Sequence, residues 1–218
     1  MRLPGNSRGY AAGEKGQDGQ LAATLILVRH AAHGHLNRIL SGRTPGVPLT
    51  EDGRAQAARL AVRLAGRRPT LVQTSPIERA QETAAAVAAR AGAALESVEA
   101  LNEIDFGDWT GRAFDALAGD PEWDRWNAKR ATARPPAGEG MGEAQARIVA
   151  HCRALARERD GETVALVSHA DMIRAAVCHV LGLDLQAYER FDIEPASATT
   201  ISWADWGARL VALNERED

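Results

Sequence analysis

The 218-residue sequence has few cysteines, few aromatic residues and no strong excess of either charge. Cys152 and Cys178 lack metal-motif spacing and cannot form a disulfide framework, so we interpret them as buried thiols in a reducing compartment. A net charge of −3 excludes the strongly basic balance that is typical of nucleic-acid-binding proteins. No apolar run approaches the roughly 18 residues of a membrane span. The sequence therefore predicts neither a nucleic-acid partner nor a membrane partner.

The first 22 residues are polar and rich in glycine, and they contain no apolar segment of signal-peptide length. We predict that residues 1–22 form a flexible tail and that residues 23–218 form one folded domain. The hydrophobic content of 45% is that of an ordinary globular core. Without an export signal, the default prediction is a cytoplasmic protein. The sequence leaves the oligomeric state open, and a homodimer is compatible with it.

Short apolar segments alternate with amphipathic segments along most of the chain. The predicted strands are 24–28, 70–75, 94–98, 163–168, 197–206 and 208–214. The predicted helices are 49–66, 75–92, 141–161 and 169–183. The proline-rich stretch 119–140 is predicted to be an irregular insertion. This alternation indicates an α/β protein, and we predict a single-domain three-layer αβα sandwich with a mostly parallel central sheet.

Helix starts in the sequence carry capping patterns. Ser75 and Pro76, followed by Glu78, predict an N-cap, a first helical residue and a capping box for the helix over 75–92. Ser168, with Asp171 three residues later, predicts a similar cap for the helix over 169–183. Both helices would then begin directly after a strand.

Two of the predicted strands end in the same way. The run TLILV leads into Arg29 and His30, and the run TVALVS leads into His169. If these strands are parallel, both histidines lie at the same edge of the sheet, where α/β proteins bind ligands. A lone histidine after a strand is more often a structural residue, but two such histidines favour a functional pair.

Arginines near these histidines indicate an anionic ligand. Arg29 precedes His30, and Arg79 lies in the first turn of a predicted helix, where a cation is unfavourable for the helix dipole. Arginine forks match phosphate oxygens in bidentate geometry. The structural alternative for Arg79 is an ion pair with Glu78 or Glu82, or extension into water. Two histidines, two arginines and a helix start would suit a dianion such as a phosphoryl group.

Six segments of the chain, in order, resemble the histidine phosphatase superfamily and its phosphoglycerate-mutase-like group. The resemblance covers most of residues 24–182. The segments are LVRHAAHG (27–34), GRTPGVPLTEDGRAQA (42–57), TSPIERAQETA (74–84), LNEIDFGDWTG (101–111), PPAGEGMGEAQAR (135–147) and VALVSHADMIR (164–174). One segment alone would be a weak signal, but six in order make a specific one.

The resemblance implies a metal-independent phosphatase without an organic cofactor, acting on a small-molecule phosphomonoester, with residues 23–218 as the catalytic domain. It implies that His30 is the nucleophile that forms a phosphohistidine. It also implies that Glu103 donates a proton to the leaving oxygen. The remaining implied catalytic and substrate-binding residues are Arg29, Arg79 and His169, with Asn37 and Ala170 as further substrate-binding residues. A general acid of this kind needs a raised pKa, which burial or nearby anions would supply.

The sequence departs from the family pattern mainly in the segment directly after His30. Ala31 stands where the family has glycine, which adds a methyl group near the expected phosphate and restricts access to positive φ. The other departures concern polar positions of the pattern. Ala32 and His33 replace a Glu-Thr pair of the family, and Gly140 stands where serine is common. The family asparagine falls at Leu36, one position before Asn37. We expect these changes to affect substrate recognition more than the reaction type.

Alternative interpretations stay open at this point. His30, His33 and His35 form an H-x2-H-x-H pattern that could bind zinc together with His169, although nearby arginines disfavour a cation. A non-catalytic phosphate-binding module would also explain the altered residues after His30. Otherwise His33 and His35 line the mouth of the pocket or face solvent.

A phosphoglycerate mutase is a further alternative, and it would need more basic residues to hold its substrate. The candidates are Arg112, Arg125, Lys129, Arg130 and Arg134, which could equally form a solvated basic face. Aromatic residues in the same region could form an apolar pocket wall or belong to the core. They are Trp109, Trp123 and Trp126.

Overall fold

The computed structural model describes residues 21–216, so the prediction of a tail over residues 1–22 lies almost wholly outside the described residues. The strands are β1 (Ala23–Arg29), β2 (Leu71–Thr74), β3 (Ala94–Ser97), β4 (Thr163–Ser168), β5 (Ala198–Ala204) and β6 (Gly207–Glu215). The helices are α1 (Glu51–Ala65), α2 (Glu78–Ala91), α3 (Phe114–Leu117), α4 (Pro121–Ala128), α5 (Met141–Glu158) and α6 (Ala170–Leu181).

The six strands form one sheet in the order β3-β2-β4-β1-β5-β6. β1, β2, β3 and β4 pair in parallel, and β5 and β6 add an antiparallel pair at one side. Arg29 is the register partner of Ser168, so β1 and β4 end side by side. The next residue of each strand is His30 and His169, and these therefore lie at the same edge of the sheet, as the sequence predicted.

Helices cover both faces of the sheet because the side chains of its central strands alternate between two apolar clusters. In β1, Leu25 and Leu27 pack in the cluster that contains α5 and α6, whereas Ile26 and Val28 pack in the cluster that contains α1 and α2. The predicted αβα sandwich with a mostly parallel sheet is thus confirmed.

The predicted cap of α2 is wrong in its details. The helix begins at Glu78, two residues after Pro76, and its N-cap is Ile77, which makes no side-chain capping bond. The fully buried Ser75 instead accepts a hydrogen bond from the backbone N–H of Ile77 (3.3 Å) and one from His169 Nε2 (2.9 Å). The reason is tertiary: the hydroxyl lies against a buried imidazole, which needs a partner for its N–H.

The predicted cap of α6 is also wrong. His169 is the N-cap of this helix, without a side-chain capping bond, and the Ser168 hydroxyl donates to the carbonyl oxygen of Leu101 (2.7 Å). Ser168 therefore ties β4 to the segment that precedes Glu103. Asp171 lies in the first turn of α6 and lines the pocket described below.

The stretch 119–140 is more regular than predicted, because it contains α4. Asp120 caps this helix by accepting from the backbone N–H groups of Glu122 (3.0 Å) and Trp123 (3.4 Å), and Pro121 occupies its start. A proline is favourable at the first helical position, so Pro121 is compatible with the start of this helix. Trp109 and Trp126 are buried in the core and Trp123 packs against it, which decides between the two interpretations of these residues.

Candidate functional site

A cavity of about 160 Å³ lies at the carboxyl edge of the parallel strands and contains most of the predicted site residues. Its polar lining residues are Arg29, His30, His33, Asn37, Ser41, Arg79, Glu103 and Asp171. Its other lining residues are Leu36, Ile39, Leu40, Gly42, Phe106, Phe114 and Ala170. His169 is fully buried behind this wall, with its ring centroid 5.0 Å from that of His30.

His30 is held in one tautomer by its two neighbours. Its Nδ1 lies 2.9 Å from the carbonyl oxygen of Ala31, which can only accept, so Nδ1 carries the proton. Its Nε2 accepts from Arg79 Nε at 3.3 Å. Burial lowers the pKa of His30 well below its ordinary value of 6.5, and the proximity of His169 and Arg79 lowers it further. The imidazole is therefore neutral, with the lone pair of Nε2 on the side of the arginine.

Two arginines of the cavity wall have buried N–H groups without a hydrogen-bond partner in the described chain. Arg79, which is buried, donates from Nη2 to the carbonyl oxygen of Gly42 (2.7 Å) and lies 3.4 Å from His169 Nδ1. Its Nη1 has no hydrogen-bond partner within residues 21–216. Arg29 donates from Nη1 to the carbonyl oxygen of Ile193 (2.6 Å), and its Nε is likewise without a partner in the described chain. Buried donors of this kind suit an anionic ligand, because an unmade hydrogen bond is costly in a buried site.

His169 helps to orient Arg79. Its Nε2–H donates to Ser75, so its Nδ1 is the acceptor that faces Arg79. Burial lowers the pKa of His169 well below 6.5, and Arg79 and Arg29 lower it further, so this imidazole is neutral as well. A neutral acceptor orients the guanidinium without removing its charge.

Glu103, the predicted acid, lies in the cavity wall. Burial raises the pKa of Glu103 from its ordinary value of 4.5 to about 7, and Asp171 adds to the rise, while Arg79 opposes it. Its Oε1 accepts from the backbone N–H of Ile104 (3.0 Å), and its Oε2 lies 3.7 Å from His169 Nδ1. A carboxyl group with such a pKa can both donate and accept a proton near neutral pH.

The segment that carries Glu103 is fixed by a network that the sequence analysis missed. Arg147 donates to the carbonyl oxygens of Asn102 (2.9 Å) and Ala100 (3.0 Å) and binds the Glu139 carboxylate with two N–H groups (3.0 and 2.8 Å). Arg43 donates to the carbonyl oxygen of Glu103 (2.8 Å) and to Glu139 (3.2 Å). All three charged residues fall inside the segments that resemble the family. Their place in these segments was the sequence signal that could have identified them.

The backbone after His30 accommodates alanine without strain. The N–H of Ala31 donates to Thr83 Oγ1 (3.0 Å), and its methyl group is buried against Leu49 and Ala57. Ala31 is not among the described residues with positive φ. The next N–H, that of Ala32, donates to Gln56 Oε1 (3.0 Å). The departure from the family glycine thus leaves the position of His30 intact.

The peripheral predicted residues lie where they could meet a substrate. Asn37 is exposed, has a φ of 59° and lines the cavity, as does Ala170 at the start of α6. His33 is buried, with its ring centroid 5.1 Å from that of His30, and burial lowers its pKa to about 3. His35 is half-buried beside it and is absent from the lining. Within residues 21–216, no group of three or more His, Cys, Asp or Glu side chains is arranged to hold a metal ion.

The basic residues considered for a mutase are not part of the cavity lining. Arg112 pairs with Asp120, and Arg134 pairs with Glu143. Arg130 is buried, with its guanidinium 4.4 Å from the ring centroids of both Trp126 and Tyr188. The cations of the cavity wall in the described chain are therefore Arg29 and Arg79.

The site thus combines a neutral histidine, two arginines and a carboxyl group with a raised pKa at the edge of a parallel sheet, an arrangement that suits phosphoryl binding in an α/β protein. The sequence model described as the histidine phosphatase superfamily (branch 1) matches residues 25–216, and the chain belongs to this family.

Similar proteins include phosphatases and mutases. The adenosylcobalamin/alpha-ribazole phosphatase of Escherichia coli (strain K12) is 29% identical over 195 residues, which cover 88% of this chain and 96% of that protein. A 2,3-bisphosphoglycerate-dependent phosphoglycerate mutase of Brucella anthropi is 32% identical over 175 residues, with coverages of 75% and 84%. The solved structure of a mycobacterial glucosyl-3-phosphoglycerate phosphatase aligns with a TM-score of 0.78 and 27% identity, covering 88% of this chain and 99% of that one.

None of the helices within residues 21–216 is long and apolar enough to cross a membrane.

Proposed function

We propose that this protein is a phosphatase that hydrolyses small-molecule phosphomonoesters through a phosphohistidine at His30. The observation that carries the proposal is the neutral His30, whose Nε2 accepts from Arg79 Nε (3.3 Å), while Nη1 of the same guanidinium has no partner within residues 21–216. A nucleophile must be unprotonated, and charge on the transferred group must be offset, and both conditions hold at this atom. The steps proposed use side chains of this chain and water alone.

In the first step, Nε2 of His30 attacks phosphorus in line and the bond between phosphorus and the ester oxygen breaks. Arg29 and Arg79 offset the charge on the equatorial oxygens with their free N–H groups. Glu103, protonated at and below a pH of about 7, gives its proton to the leaving oxygen. The products of this step are an alcohol and a phosphohistidine, with Glu103 left as a carboxylate.

In the second step, a water molecule attacks phosphorus and the bond between phosphorus and Nε2 breaks. Glu103 now takes the proton from the attacking water and returns to its acid form. Inorganic phosphate leaves, and His30 regains its lone pair. The pKa of about 7 suits Glu103 to both halves of this cycle, because neither form is strongly disfavoured near neutral pH.

The test of this function is His30→Ala with p-nitrophenyl phosphate as a generic substrate. We expect a loss of about 10³-fold or more in kcat/KM, since the covalent route is removed. Rapid quenching of the wild-type enzyme with radiolabelled substrate should trap an acid-labile phosphohistidine that the variant lacks. His151→Ala is the matched control, because this histidine lies outside the cavity and bonds to Gln73. Full activity in His30→Ala would exclude the mechanism.

A mutase remains the second candidate, since the Brucella relative carries that name. Conversion of 3-phosphoglycerate to 2-phosphoglycerate in the presence of a bisphosphate primer would reveal it. We expect hydrolysis to exceed this conversion, because the cavity wall offers no described cation beyond the two arginines that hold the phosphoryl group. A protein that forms no phosphohistidine with any phosphomonoester would be a binding module instead.

A small-molecule phosphomonoester as substrate and a cytoplasmic location complete the proposal. Both cysteines are free and buried, which suits a reducing compartment.

A further inference from the structure

The part of the cavity wall that does not belong to the phosphate-binding group is mostly apolar. Its apolar residues are Leu36, Ile39, Leu40, Phe106, Phe114 and Ala170, and they are joined by His33, Asn37, Ser41 and Gly42. One charged side chain interrupts this wall, the carboxylate of Asp171, which lies two residues after His169. A leaving group that extends from the phosphoryl site would therefore meet apolar surface and one anion.

Two arginines hold the Asp171 carboxylate, one near each of its oxygens. Arg130 Nη1 lies 3.9 Å from Oδ2, and Arg174 Nη1 lies 3.8 Å from Oδ1. Arg130 is itself fixed between the rings of Trp126 and Tyr188. Asp171 is part of the cavity lining, whereas neither of these arginines is.

With a phosphoryl group bound, the described wall offers the leaving group negative charge but no free positive charge. Under the proposed function, Arg29 and Arg79 are engaged by the phosphoryl oxygens. The remaining Asp and Glu side chains of the wall, within residues 21–216, are Glu103, whose pKa is raised to about 7, and Asp171. A second anion on the substrate would meet the Asp171 carboxylate, and no further cation of the described cavity wall would receive it, which is unfavourable. An ammonium or hydroxyl group could instead donate to Asp171.

We propose that this cavity selects phosphomonoesters whose leaving group carries no second negative charge, being neutral or cationic with an apolar portion. Asp171 is the specificity-determining residue, and it rejects leaving groups that bear a carboxylate or a second phosphate. This inference rests on the proposed phosphatase function and gives its substrate class.

The test compares three esters of similar size at neutral pH: 2-aminoethyl phosphate (cationic), n-propyl phosphate (neutral) and phosphoglycolate (anionic). Each is measured as a substrate and as a competitive inhibitor of p-nitrophenyl phosphate hydrolysis, so that an ester turned over slowly is still ranked. For the wild-type enzyme we expect phosphoglycolate to be disfavoured by about tenfold or more against n-propyl phosphate. Equal or better use of phosphoglycolate would overturn the inference.

Asp171→Asn keeps the shape of the side chain and removes its charge. We expect the preference against phosphoglycolate to shrink by about fivefold or more, and any advantage of 2-aminoethyl phosphate to disappear. Asp192→Asn is the matched control, because Asp192 also pairs with Arg174 (3.8 Å) but is exposed and outside the cavity lining. An equal effect of both substitutions would refute the role of Asp171.

Failure of the proposed function has a different signature. If the wild-type protein does not hydrolyse p-nitrophenyl phosphate, the phosphatase assignment is wrong. If it does and the three esters show no discrimination by charge, the assignment stands and only the inference about Asp171 is wrong. The wild-type ranking does not depend on the folding of any variant.

Discussion

Glu103 and His169 form a close pair in which neither partner carries a charge at mildly acid pH. Glu103 Oε2 lies 3.7 Å from His169 Nδ1, and that same Nδ1 lies 3.4 Å from Arg79 Nη2. The low pKa of the buried His169 keeps the imidazole neutral, so it gives Glu103 no countercharge. This relationship explains how a carboxyl group keeps its proton in a cavity that also holds two arginines.

Replacement of Glu103 by glutamine should slow ester cleavage in a way that depends on the leaving group. The alkoxide of n-propyl phosphate needs a proton as it departs, whereas p-nitrophenolate does not. We expect kcat/KM of Glu103→Gln to fall by about 10²- to 10³-fold for n-propyl phosphate and much less for p-nitrophenyl phosphate. Asp105→Asn is a suitable control, since Asp105 lies in the same segment and outside the cavity lining. Equal losses for both esters would argue against a general acid.

The same substitution should stabilise the protein, and more so at alkaline pH. The pKa of Glu103 is about 7 in the folded protein and 4.5 ordinarily, so between these values the folded state binds more protons than the unfolded chain. The free energy of unfolding therefore falls as pH rises from 4.5 to 7, and glutamine escapes this loss. Urea unfolding should show that the stability gained by Glu103→Gln is about 2–3 kcal/mol larger at pH 8 than at pH 5. A gain that is independent of pH would contradict the raised pKa.

Local sequence patterns were sufficient for the sheet and for the position of His30. The short apolar runs before Arg29 and Ser168 have both faces buried, and this pattern is characteristic of central parallel strands. Because such strands end at one edge, the meeting of His30 and His169 follows from topology alone. The helix α1 was predicted equally well from the sequence. Thr50 caps it by accepting from the N–H of Gly53.

Hydrogen-bond partners chosen by tertiary packing could not be predicted in this way. Ser75 has the sequence context of an N-cap, but its hydroxyl accepts from His169, which is remote along the chain. Asp171 has the context of a capping residue, but it lies between Arg130 and Arg174 at the cavity wall. Polar side chains at the end of a strand have several partners within reach, and the surrounding fold selects among them.

Arg147 positions Glu103 without lining the cavity, and its removal should lower catalysis through that residue. Arg147→Met keeps much of the side-chain bulk and removes the N–H groups that hold the carbonyl oxygens of Ala100 and Asn102. We expect a fall of about 10- to 100-fold in kcat/KM for n-propyl phosphate, with a smaller fall for p-nitrophenyl phosphate.

Two comparisons separate this positioning role from a general loss of stability. In combination with Glu103→Gln, Arg147→Met should cause little further loss, because both act on one proton transfer. Arg157→Met on the same helix removes an exposed ion pair with Asp205 and should leave kcat/KM unaffected. Additive losses in the double variant would show that Arg147 acts elsewhere.

Gly53 allows α1 to pack against the backbone that follows His30, and alanine should not be tolerated there. A Cβ atom at this position would lie 1.9 Å from the carbonyl oxygen of Ala32, which accepts from the N–H of Thr50 at the helix cap. Either the helix or the loop must move, and we expect Gly53→Ala to lower the free energy of unfolding by about 2–3 kcal/mol. Because the loop continues directly from His30, the proposed nucleophile, kcat should fall as well. Gly142→Ala in the first turn of α5 is the control: its Cβ would meet nothing within 4 Å, so it should stabilise by about 0.5–1 kcal/mol. Urea unfolding of both variants, with parallel assays on p-nitrophenyl phosphate, measures these effects. A Gly53→Ala protein as stable and active as wild type would show that the loop after His30 can move without loss of stability or activity.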